Sequence, residues 1–170
     1  MSTTVSNFEG SNFLQPTGFK VVVNRKRFKN LEFFAQAVVH PDISATNVIT
    51  QFRGTNLNTP GDKLEYGQLS IDAILDENLN VYKEMHTWLQ KTVTEPFTSS
   101  ASKSISNQDT TEYDISLLVL SSHNNKTDTI RYKNCFPTNL GSINFQSSVD
   151  GINFLTFSIT FAYTSFTISD

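Results

Sequence analysis

A chain of 170 residues is long enough to bury a real core as one domain without staples, and its single cysteine, Cys135, excludes an internal disulfide. A net charge of -3 excludes strong non-specific attraction to nucleic acid over the whole surface, though not a local basic patch. With 14 phenylalanines, only 7 glycines and many Ser, Thr and Asn, the composition points to a β-dominated domain with polar strand faces.

The opening, residues 1–11, is polar and unpatterned and reads as a flexible N-terminal arm. It has neither the basic n-region nor the apolar h-region of a secretory signal. Phe19, Val21 and Val23 alternate in a first strand. Arg25-Lys26-Arg27-Phe28-Lys29 forms a basic tip, and a second strand is expected with Leu31, Phe33, Ala35, Ala37 and Val39 on one face. The two read as a hairpin that ends at His40-Pro41-Asp42.

Residues 44–58 carry Val48, Ile49 and Phe52, interrupted by Arg53-Gly54. They read as a hairpin loop projecting from the body, whose apolar residues await a partner. Pro60-Gly61-Asp62 reads as a turn. A half-buried strand follows, with Leu69, Ile71, Ala73 and Leu75 alternating against Gln68, Ser70 and Asp72. At Asp76 the period changes. Asp76 is a candidate N-cap, and one helix is expected over about residues 77–93. Tyr82, Met85 and Leu89 recur on its inner face, with Val81 and Trp88 beside them, and Thr94-Glu95-Pro96 ends it.

Residues 97–111 read as a polar loop. Tyr113 to Ser121 is a strand, central because Leu117 to Leu120 is apolar on both faces. A turn at Ser122 to Lys126 leads into a return strand with Ile130 and Tyr132 inward. Cys135-Phe136-Pro137 reads as a break in the ladder. Ile143 and Phe145 begin another strand, and Asp150-Gly151 is a tight turn. The final strand is the clearest, with Leu155, Phe157, Ile159, Phe161 and Tyr163 on one face. A bulge or bend near Thr164 accounts for the shift to Phe166 and Ile168.

Catalytic and metal chemistry find no constellation. His40, His86 and His123 have no partner at ligand spacing. Cys135 has no histidine placed beside it, and no glycine-rich phosphate loop occurs. Asp62, Glu65, Asp72, Asp76 and Glu77 read as capping and solvating acids rather than a calcium loop. Asn125-Lys126-Thr127 matches the glycosylation pattern by chance. No apolar run reaches membrane-spanning length. The expectation is no enzyme, no metal, no cofactor and no membrane insertion. A monomeric β-barrel binding module is a competing class, distinguished by a ligand pocket and no polymer.

The order of motifs carries a resemblance. F-x-x-P-x-G-F is followed by H-P, by P-G-D-K-L-E-Y-G-x-L and by L-D-E-N-x-x-x-Y-x-x-M-x-x-W. After these come D-I-S-L-L-V-L-S-S, N-C-F-P-T-N-L-G and F-S-I-T-F-A-Y. From about Phe13 to Tyr163 the chain resembles the tail tube proteins of contractile-tailed bacteriophages. That resemblance implies a single domain over residues 1–170, a β-barrel or sandwich of two antiparallel sheets with one flanking α-helix. It implies no enzymatic activity and a virion protein assembled in the host bacterial cytoplasm, forming hexameric rings stacked into a hollow tube through which DNA is ejected. The implied partners are further copies of the chain, the tail sheath, the baseplate and tail terminator proteins, and the tape-measure protein. The alternatives are a tube-initiating baseplate junction protein, or the inner tube protein of a type VI-like injection system. Candidate inter-subunit contacts are Arg25, Lys26, Arg27, Val48, Ile49, Phe52 and Arg53. Candidate residues for packing the helix are Tyr82, Met85, Trp88 and Leu89.

Overall fold

The computed structural model describes residues 13–23, 27–98, 112–147 and 154–169. The expected arm over 1–11, the turn at Asp150-Gly151 and the polar loop beyond Thr98 lie outside them. Among the described residues the order is β1 (Phe19–Val22), α1 (Lys29–Phe34), β2 (Ala35–Val39), β3 (Ile43–Phe52), β4 (Thr55–Tyr66), β5 (Leu69–Ile74) and α2 (Asn80–Thr98). Then come β6 (Tyr113–Leu120), β7 (Lys126–Leu140), β8 (Thr156–Ala162) and β9 (Ser165–Ser169).

The fold is mainly β, with two antiparallel sheets that share one strand. The first holds β1, β6, β9 and the N-terminal part of β7. The second holds β2, β5, β8 and the C-terminal part of β7. β7 therefore passes from one sheet into the other: Tyr132 faces Phe166 in β9, while Phe136 faces Ala162 in β8. Asn134, at φ 54°, marks the corner. The ladder break expected at Cys135-Phe136-Pro137 is instead continuous strand. β6 begins opposite Cys135, so beyond it one flank of β7 has no ladder partner among the described residues, and a register shift follows Pro137. An unpaired flank and a bulge are where a strand tolerates proline.

The chain turns a matching corner in β8 and β9. Phe157, Ile159 and Phe161 face the core, as their alternation requires. A bend follows at Thr164, whose N–H donates to Lys133 O at 3.0 Å, and β9 then runs along the first sheet.

Several expected elements differ. β1 and β2 are not a hairpin: β1 pairs with β6 and β2 with β5. Between them Lys29 to Phe34 is helical rather than strand. Phe28, Leu31 and Phe34 recur every three residues, a spacing that gathers them on one helical face and would split them between the two faces of a strand, and all three join the core. Lys20 Nζ, 2.8 Å from Glu32 Oε1, ties this helix to β1. The strand expected at Ile143 and Phe145 is irregular backbone, with Phe145 exposed.

The long helix α2 starts at Asn80, not at 77, because Asp76 caps it across a turn. Its Oδ1 accepts from Asn80 N and its Oδ2 from Asn80 Nδ2, both at 2.7 Å. Leu79 takes φ 54° to make that entry. The helix continues through Pro96 to Thr98; proline removes one hydrogen bond near the end without forbidding a helical φ. Its buried stripe is Val81, Met85 and Trp88, with Tyr82 half-buried beside it and packed on Phe157. Leu89 is only half-buried and stands outside the core cluster. The stripe is thus rotated about one residue from the expected one. Trp88 anchors it, stacked on Phe28 at 4.4 Å and edge-on to Tyr113 at 5.3 Å. Both sheets, α1 and α2 contribute to this one cluster.

Candidate assembly surface on a protruding hairpin

β3 and β4 form a sheet of their own. Their two-residue turn, Arg53-Gly54, has φ of 47° and 81°, the positive pair that a tight hairpin with native twist requires. The strands pair from Ile43–Tyr66 out to Phe52–Thr55, so the hairpin is longer than the expected 44–58. Pro60-Gly61-Asp62, expected as a turn, lies inside β4. Pro60 sits opposite Asn47, where the register shifts between Ala45 and Asn47. A bulge accepts both a proline without an N–H and a glycine without a side chain.

The hairpin strands pack chiefly on each other, and their apolar side chains are left to solvent. Val48 is 55% exposed, Ile49 58%, Leu57 56% and Leu64 60%. The register puts Val48 and Leu57 on one face, across from Thr59 and Thr50, and Ile49 on the other. An isolated two-stranded ribbon is marginal in water, so apolar residues on both of its faces mark a surface built for covering.

Of the other candidate contact residues, Arg25 and Lys26 lie outside the described residues, as does the side chain of Phe52. Arg53 is the first residue of the exposed turn. Arg27 is engaged within the subunit: its Nη1 donates to Tyr113 Oη at 2.7 Å, and its guanidinium lies 5.8 Å from that ring. Sequence reasoning missed Ile43, Leu57 and Leu64. The alternation in Thr55-Asn56-Leu57-Asn58-Thr59 was the available signal, and reading Pro60-Gly61 as a turn hid it.

The remaining chemistry-bearing groups are structural. Cys135 is buried, and that burial pushes its thiol up to about 12, so it is a packed, protonated side chain rather than a nucleophile. His40 hydrogen-bonds Tyr132, His86 stacks near Tyr82, and His123 lies in the turn beside Ser122. Among the described residues no group of three His, Cys, Asp or Glu side chains can hold a metal ion. Among the same residues no helix is long and apolar enough to cross a membrane.

The fold as a whole is similar to that of chains in solved structures of contractile injection systems. The chain is 16% identical to one in the cryo-EM structure of the anti-feeding prophage cap (AFP tube terminating cap), over 99% of both chains, at a TM-score of 0.68. It is 15% identical to one in the sheath-tube complex of the extracellular contractile injection system PVC, over 99% of both, at 0.65. A chain of the anti-feeding prophage baseplate is 10% identical, over 94% of this chain and 97% of that one, at 0.66. No curated protein matches the sequence. Residues 6–169 match the family described as phage tail tube protein, and the chain belongs to that family.

Proposed function

We propose that this chain is the repeating subunit of a hollow tail tube, assembling without enzymatic activity into hexameric rings that stack. The observation that carries this reading is the β3–β4 hairpin, which holds apolar residues in solvent on a free subunit. Stacked copies bury such residues in a head-to-tail contact that repeats along the tube. Residues 1–11 and 44–58 are the proposed ring-to-ring contacts. The sheath binds outside, the tape-measure protein lies inside during assembly, and baseplate and terminator proteins close the ends. DNA then passes through the lumen at ejection, and the particle assembles in the host bacterial cytoplasm.

The likeness to cap and baseplate chains supports a second reading, a subunit that starts or ends the tube. Negative-stain microscopy of the purified protein separates the two. Long tubes support the repeating subunit, and isolated six-fold rings support the terminal one. A protein that stays monomeric at high concentration, even with baseplate partners added, rejects both in favour of a binding module.

A further inference from the structure

Both chain crossings that join the hairpin to the body are held by aromatic rings. At the outgoing crossing, His40 Nδ1 lies 2.6 Å from Tyr132 Oη, and its ring stands edge-on to Phe166 at 5.1 Å. At the returning crossing, Tyr66 stands against Phe166 at 5.7 Å and Tyr163 at 6.1 Å. Tyr132 touches both Tyr163 and Phe166, which closes the group. These five rings come from the end of β2, the end of β4, the middle of β7, the corner after β8, and β9. They meet where β7 passes between sheets.

We propose that this cluster is a hub that fixes the direction of the hairpin, and that Tyr66 and His40 are positioning residues for the stacking contact. The assembly half of this inference rests on the tube reading; the direction half does not. Edge-on ring pairs have a preferred geometry that aliphatic contacts lack. Besides the rings, Gly67 N–H donates to Asp42 O at 3.0 Å, which closes the base. One backbone bond resists separation of the strands but not a swing of the pair. Direction matters because the lever is long. β3 has 10 residues. At roughly 3.3 Å per residue it spans about 33 Å, so a tilt of about 10° at the base moves the tip by about 6 Å. Among the described residues the buried Tyr163 hydroxyl has no hydrogen-bond partner, and its ring is held there by packing.

The test places spin labels on Asn56→Cys in the hairpin and His123→Cys in the body turn, both exposed positions; buried Cys135 stays unlabelled. Distances are read in dilute protein, and assembly by sedimentation and microscopy. The intact cluster gives one narrow distance. Tyr66→Ala broadens it at least twofold and raises the concentration needed for assembly about tenfold, which is about 1.4 kcal/mol. Tyr66→Phe, which keeps the ring, restores both. His40→Ala, at an exposed position, probes the other crossing should Tyr66→Ala not fold. Unchanged distances in both variants overturn the inference. Broadening without an assembly defect overturns its assembly half, provided that Val48→Ser/Ile49→Ser blocks stacking. If that tip variant assembles normally, the stacking role of the hairpin falls, and the hub stands or falls on the distances alone.

Discussion

Gly61 lies against the backbone of Thr46: a Cβ at 61 would stand 2.5 Å from the Thr46 carbonyl oxygen and 2.6 Å from its Oγ1. The bulge in β4 thus brings Gly61 hard against β3, and only a residue without a side chain fits there. Gly61→Ala is expected to disturb hairpin pairing while leaving the body folded. Thermal unfolding followed at Trp88 shifts by less than about 3 °C, equivalent to roughly 1 kcal/mol, while assembly is lost. A large fall in the midpoint instead makes the hairpin part of the core.

The rotated stripe on α2 makes a ranked prediction. Trp88→Ala costs about 3–5 kcal/mol and Met85→Ala about 2–5, because both are buried and leave cavities. Leu89→Ala, outside the core cluster, costs about 1 kcal/mol or less. Denaturant titration of the three variants checks the order. A Leu89 cost equal to that of Met85 moves the buried face back to the stripe expected from periodicity.

Cys135 is expected to resist thiol reagents at pH 8 in the folded protein and to react on unfolding. Its folded pKa, raised to about 12 from an ordinary 9.0 mainly by burial, also sets a sign. Between those values the unfolded chain loses the proton and the folded chain keeps it, so stability falls as pH rises. Cys135→Ala removes this slope at the cost of a small cavity. Denaturation midpoints at pH 8, 9 and 10 compare the two proteins.

Glu84 on α2 accepts from Asn30 Nδ2 on α1 at 2.6 Å, and its Oε2 is buried without a partner. Burial raises its pKa above the ordinary 4.5, against the opposing effect of the Asn30 hydrogen bonds. The stability linked to its proton is full below pH 4.5 and is lost as pH rises through the folded value. Glu84→Gln cannot ionise, so it is expected to be more stable than the parent at pH 7, with that advantage gone at pH 4. Equal stabilities at both values reject the burial account.

The legible parts of the fold were those whose local period had one reading. Phe157, Ile159 and Phe161 alternate unambiguously and face the core. The illegible parts depend on partners distant in sequence. Nothing local to Phe19–Val22 shows that its neighbour is β6, about a hundred residues on, rather than the next apolar segment. Pro60-Gly61 and Phe136-Pro137 carry strong turn and breaker signals, yet both lie in strands, because a bulge and an unpaired flank accommodate them. For the candidate site, Val48 and Ile49 were readable as apolar residues in a polar stretch. The rings that grip the base were not: His40, Tyr66, Tyr132, Tyr163 and Phe166 converge only once β7 and β9 are in place.

The shared strand also orders events during synthesis. β3 and β4 need no later residue as ladder partners, so both strands of the ribbon are available once residue 66 has left the ribosome, although the pair alone is marginal in water. Its bearings on the body, Tyr163 and Phe166, follow about a hundred residues later. A chain that stops short of these rings therefore carries the hairpin without the ring contacts at its base.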